Sequence, residues 1–163
     1  MSADSGPCLA RFPDELVEFF QAGVSIQLGT CDAELVPEGI RAVGAVANRD
    51  RTRVTIFLND RTSARTLRNL SVNPKCAVCF SRPGDHRSIQ IKGRVVATRP
   101  ASEADRVVVE RYVPSLMEAL SLVGISRSLT GRLAHWPSTA VDVEVDELFH
   151  QTPGPGAGRK LET

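Results

Sequence analysis

Lysine is almost missing from this chain: Lys75, Lys92 and Lys160 are the only ones among 20 basic residues, and the rest are arginine. Aromatic residues are also few, with one tryptophan and one tyrosine in 163 residues. The three histidines, His86, His135 and His150, are scattered in no metal-ligand or catalytic-triad spacing. No stretch approaches the ~20 apolar residues that a membrane span needs. Met1 to Pro13 lacks the basic start and apolar run of a secretory signal. These absences point to a cytoplasmic protein with no membrane partner. The formal net charge of +1 provides no global field to gather nucleic acid.

The cysteines are Cys8, Cys31, Cys76 and Cys79. Cys76 and Cys79 form a C-x-x-C pair, but the surrounding Cys76-Ala77-Val78-Cys79-Phe80 reads as a strand. Residues three apart on a strand point to opposite faces, so the pair does not meet as it would at a helix start. No second pair completes a zinc site. The expectation is four reduced thiols and no metal.

What is present is a rhythm of short strands. Pro13 to Phe20 reads as a helix stopped by Gly23. Val24–Thr30 alternates apolar and polar residues, Ile40–Ala47 is apolar except for Arg41, and Val54–Leu58 is a third strand. Ala64, Leu67 and Leu70 give a helical step that ends near Asn73-Pro74. Lys75–Ser81 and Ser88–Ala97 are further strands, and Val141, Val143 and Val145 mark a last one. Ser102-Glu103-Ala104-Asp105 has the form of a capping box opening a helix. Pro114 suits the first turn of another. Five strands before the main helices and a sixth after them argue for a mainly β, α+β fold: a six-stranded antiparallel barrel with flanking helices, rather than an alternating parallel sheet. The chain reads as one domain, residues 1–163, with 1–12 and the Gly/Pro-rich 151–163 extended or loosely held.

Three features carry chemistry. Arg41 is a charge in an otherwise apolar strand, which calls for an anion or a carboxylate such as Glu38 or Asp32. Thr62-Ser63-Ala64-Arg65-Thr66 puts hydroxyls, backbone N–H groups and a guanidinium at a helix start, a setting suited to phosphate. Ser88 and Gln90 share one strand face beside Gly93 and offer uncharged hydrogen bonds.

Taken in order, Arg41-Ala42-Val43-Gly44-Ala45-Val46, Phe57-Leu58-Asn59, Ser63-Ala64-Arg65-Thr66, Leu70, Asn73-Pro74, Cys76–Phe80 and Ser88-Ile89-Gln90-Ile91-Lys92-Gly93 resemble the FMN-binding split-barrel superfamily, that of pyridoxamine 5′-phosphate oxidase. The resemblance implies a Greek-key split barrel and a homodimer with flavin at the subunit interface. It also implies a flavin-dependent oxidoreductase acting on a small molecule. By resemblance, Arg41 and Arg65 are the phosphate cations and Ser63 and Thr66 hydroxyl donors. Ala42, Val43, Gly44 and Asn59 flank the ring or ribityl chain, with Ser88 and Gln90 as further contacts. Thr66 stands where the family carries lysine, and Ser88 where the oxidases carry a flavin-contacting glutamine. The segment His150–Gly158 lacks the arginine and tryptophan that grip pyridoxal phosphate, which argues against a vitamin B6 oxidase. Related split barrels bind haem, so haem is the alternative cofactor and a non-catalytic binding protein the alternative function.

Overall fold

The structure, a computed structural model, describes residues 9–162; Cys8 and the ends of the chain lie outside them. Seven strands form one antiparallel sheet: β1 (Ser25–Cys31), β2 (Pro37–Arg41), β3 (Ala45–Ala47), β4 (Arg53–Asn59), β5 (Lys75–Ser81), β6 (Ser88–Pro100) and β7 (Ser138–His150). Their spatial order is β2-β1-β5-β6-β7-β4-β3. Four helices flank the sheet: α1 (Asp14–Gln21), α2 (Ala64–Val72), α3 (Glu103–Leu122) and α4 (Arg127–Thr130).

The sequence pattern gives six strands because Ile40–Ala47 is apolar but for Arg41; the structure breaks this segment into β2 and β3. The break has a definite cause. The Ala42 N–H donates to the Ile26 carbonyl on β1 at 2.9 Å, whereas the next N–H, of Val43, donates to the Phe57 carbonyl on β4 at 2.8 Å. One segment therefore changes partner between consecutive residues. Since β2 and β3 are the two ends of the strand order, the sheet curls until its edges meet at residues 42–44. The barrel is joined there and split above, where β2 pairs only with β1.

Alternating side chains fill the interior: Ile26 and Leu28, Val54, Ile56 and Leu58, Val78 and Phe80, Ile89 and Ile91, and Val141, Val143 and Val145 are all buried. Phe20 of α1 closes one end, 4.2 Å from the Phe80 ring, with Phe12 edge-on to it at 5.4 Å. Gly93 stands at a bulge in the β6–β7 pairing. A Cβ there would lie 1.9 Å from the Glu144 carbonyl oxygen, a separation that no side chain tolerates.

One sequence expectation is revised in α3. It is a single helix with Pro114 inside it rather than two helices. It opens as expected, with the Ser102 hydroxyl accepting from the Asp105 N–H and the Asp105 carboxylate accepting from the Ser102 N–H at 2.7 Å. Val109 packs with Phe57, Val43 and Ala140 on the outside of the barrel. Three residues on, the Tyr112 hydroxyl donates to the Val24 carbonyl at 2.6 Å. The helix thus runs from β4 to the start of β1 and lies across the split. The Gly/Pro segment after β7 folds back, with Lys160 bridged to Phe149. Cys76 is buried opposite Gly93 while Cys79 lies opposite Gln90, so the C-x-x-C pair is divided between faces. Burial, and secondarily Asp146, pushes the Cys76 thiol up to about 12, away from reactivity.

Gly93→Ala is expected to cost about 3 kcal/mol or more in urea unfolding, because backbone rather than a movable side chain blocks the new methyl. The Asp105 carboxyl is lowered to about 2, chiefly by the Arg99 hydrogen bond and then by those from Ser102. Its stabilisation is full above its unfolded value of about 3.9 and is lost as pH falls through about 2. Asp105→Asn should therefore be less stable than the parent by roughly 1 kcal/mol near neutrality. That gap should narrow on going from about pH 4 to pH 2. Thermal unfolding across this range measures it.

Candidate functional site

The split forms the candidate site. Above the junction at residues 42–44, among the described residues β2 has no neighbour on its outer side and the end of β4 has none facing it. Successive strand residues send their backbone groups in opposite directions. Ala42 faces β1 and Val43 faces β4, so Gly39 and Arg41 turn their N–H and C=O groups into the gap. Both residues are exposed, so these groups are open to a ligand that supplies donors and acceptors along its edge.

The gap holds a cavity of about 560 Å³. One wall is Glu38 to Val43, the other Asn59, Arg61 and Thr62, and the floor is Tyr112, Val113 and Leu116 of α3. Arg132, Leu133 and Ala134, from the loop after α4, close the rim. This volume falls within the range for small-molecule and cofactor sites, and the mix of apolar floor and polar edges is typical of them. The Tyr112 hydroxyl is committed to Val24, and burial raises its pKa. It is a fixed structural group rather than a proton donor.

Of the residues singled out in the sequence, Arg41, Ala42, Val43 and Asn59 line this cavity. Gly44 lies just beneath, at the junction, where a Cβ would press on the Phe57 ring at 3.3 Å. Ser63 and Thr66 sit in the first turn of α2, both buried, and neither Ser63 Oγ nor Thr66 Oγ1 has a hydrogen-bond partner among the described residues. Arg65 is half exposed and points toward Glu38, 3.8 Å from its carboxylate. Arg41 does not pair with Glu38 or Asp32: its guanidinium donates to the Ser25 hydroxyl at 2.9 Å, on the outer face of the sheet.

Ser88 and Gln90 do not reach the cavity. The strand register places Arg41, Gln27, Cys79 and Gln90 in one row across β2, β1, β5 and β6, with Ser25, Ser81 and Ser88 in the next. Ser88 Oγ donates within this face, 2.8 Å from Ser81 Oγ and 2.9 Å from the His86 carbonyl. Gln90 accepts from Gln151 at 3.3 Å.

Sequence reasoning missed the floor and the rim. Tyr112 and Leu116 fall on a helical apolar stripe that reads equally well as core, and nothing local marks Arg132. Three cavity arginines, Arg41, Arg61 and Arg132, form no ion pair among the described residues. No group of three or more potential metal ligands occurs among the described residues. None of the helices described is long and apolar enough to cross a membrane.

The arrangement fits a flavin in its main parts. Unpaired backbone faces the gap and the floor is apolar, whereas Ser63, Arg65 and Thr66 at the start of α2 lie outside the cavity lining and the two hydroxyls are buried. Thr66 in place of lysine and the Glu38 carboxylate beside Arg65 are the departures.

A comparison with curated proteins gives no match. Among solved structures, an F420 reductase is 14% identical and superposes with a TM-score of 0.58 over 84% of this chain and 98% of its own. HupZ from Group A Streptococcus is 15% identical, with a TM-score of 0.56 over 90% and 99%. A pyridoxamine 5′-phosphate oxidase-related, FMN-binding protein from Nostoc punctiforme is 12% identical, with a TM-score of 0.50 over 97% and 100%. At these identities the likeness is one of fold. The family model described as pyridoxamine 5′-phosphate oxidase matches residues 12–132, which contain the barrel junction, both walls of the cleft and α3. The chain belongs to the pyridoxamine 5′-phosphate oxidase family.

Proposed function

We propose that this protein binds a flavin, with FMN the family's usual form, in the cleft between the free edge of β2 and the end of β4, and acts as a flavin-dependent oxidoreductase. The observation that carries the reading is the pair of unpaired strand edges facing each other across a cavity of about 560 Å³. The backbone of Gly39 and Arg41 would hold the polar edge of the ring system. Val113 and Leu116 would cover its apolar face, and Asn59 and Thr62 would meet the side chain of the ligand. When bound, the flavin would supply hydride or electron transfer, and the chain would orient it and exclude water.

The outer face bearing Arg41, Gln90 and Ser88 supports a homodimer. Its side chains are mostly small, including Gly29, Ala77, Cys79, Ser81 and Ser88, so two such faces can approach closely. In a dimer this face of one subunit would lie near the cleft of the other, which is how Ser88 and Gln90 would come to a flavin.

The second reading is a barrel that binds flavin without turnover, favoured by the tyrosine already committed to Val24 and by the missing lysine at Thr66. Haem stays behind both, since His86, His135 and His150 do not line the cleft.

The visible absorption spectrum of the purified protein, alone and after adding FMN or haem, tests the assignment. Flavin bands are expected; a Soret band would move haem ahead. Val113→Trp fills the cleft floor from a half-buried position. It should abolish flavin binding while leaving the far-ultraviolet circular dichroism unchanged. Undiminished binding by the folded variant would place the ligand elsewhere. Reduction of bound flavin by a nicotinamide, followed by reoxidation by an added acceptor, separates an enzyme from a binding protein.

A further inference from the structure

At the end of the cleft next to α2 the chain already holds an anion of its own. Glu38 lies opposite Thr30 in the β1–β2 ladder, so its side chain turns toward α2 and the cavity rather than to the outer face. Its side chain is only 17% exposed. The buried Asn69 amide donates to Glu38 Oε2 at 3.1 Å and reaches the Thr30 hydroxyl at 3.1 Å, which fixes the carboxylate in place. Arg65, 53% exposed, comes to the same oxygen at 3.8 Å. The guanidinium is the movable partner and the carboxylate the anchored one.

A terminal phosphate monoester carries about −1.5 to −2 charges at neutral pH. Set beside Arg65 at the α2 end of the cavity, it would share that cation with a fixed carboxylate, and like charges at such range repel. A carboxylate is, however, a good acceptor for hydroxyl donors. The geometry points to Glu38 as the residue that selects the ligand's side-chain end: it disfavours a phosphate dianion and accepts hydroxyls of a neutral or singly charged chain. This rests on the flavin reading above and narrows it to flavins whose side chain does not end in a phosphate monoester. Riboflavin is the simplest probe of that class.

The test is the ratio of FMN to riboflavin affinity, read from quenching of flavin fluorescence at fixed ionic strength, for the parent protein and for Glu38→Gln. The glutamine keeps an acceptor for Asn69 and removes the charge. In the parent protein the two flavins should bind within about tenfold of one another. Glu38→Gln should raise FMN affinity about tenfold or more and leave riboflavin nearly unchanged. Adding Arg65→Gln to Glu38→Gln should cancel the gain. A roughly hundredfold preference for FMN in the parent protein overturns the inference even if the variant is unstable, and leaves the flavin reading intact. So does an unchanged ratio in folded Glu38→Gln. If neither flavin binds the folded parent protein, the flavin reading itself fails and the inference with it.

Discussion

The change of hydrogen-bonding partner between Ala42 and Val43 is the constraint on which the rest of the structure depends. A strand that paired with β1 along its whole length would leave an open sheet with two exposed edges. By turning from β1 to β4 within one peptide unit, the segment joins the two ends of the sheet and abolishes the edge below the junction. Above it, the same turn forces the strands apart. The cleft is thus a geometric consequence of how the barrel is joined, and the unpaired backbone of Gly39 and Arg41 comes with it. Gly44 lets the chain make this turn beside Phe57 without a side chain in the way.

A split of this kind would admit water to the core were it not floored. Helix α3 does this with a stripe that changes role along its length. Val109 packs on Phe57 outside the barrel, Tyr112 ties the helix to Val24, and Leu116 closes the cleft from below. Pro114 is accommodated inside the helix, so a residue that usually signals a helix start does not interrupt the floor.

Charge is distributed unevenly around this cleft. Most of the arginines elsewhere meet carboxylates, as Arg53 and Arg94 do with Glu144. Among the described residues those lining the cavity do not, while the single carboxylate there is anchored by an amide and approached by Arg65. Among the described residues the first turn of α2 keeps two buried hydroxyls without partners, a cost that a chain selected for stability alone would remove by substituting apolar residues. The cavity thus combines three arginines unpaired among the described residues with one anchored carboxylate.

The sequence by itself determined the elements with a strong local period or a strong stop: β1, β5, β6, the capping box of α3 and the end of α2 at Asn73-Pro74. It also determined that Arg41, Arg65, Ser63 and Thr66 are unusual for their surroundings, because charge in an apolar strand and hydroxyls at a helix start are local facts. Only the tertiary structure decided that Ile40–Ala47 is two strands, since both halves are apolar and the break lies in which neighbour accepts each N–H. Only it showed that Glu38 belongs to Arg65 rather than to Arg41, because β2 and α2 are brought together by the barrel and not by the chain. The same holds for the cleft floor. An apolar stripe on a helix states that something will be covered, and the fold alone decides whether that is a neighbouring strand or a gap left for a ligand.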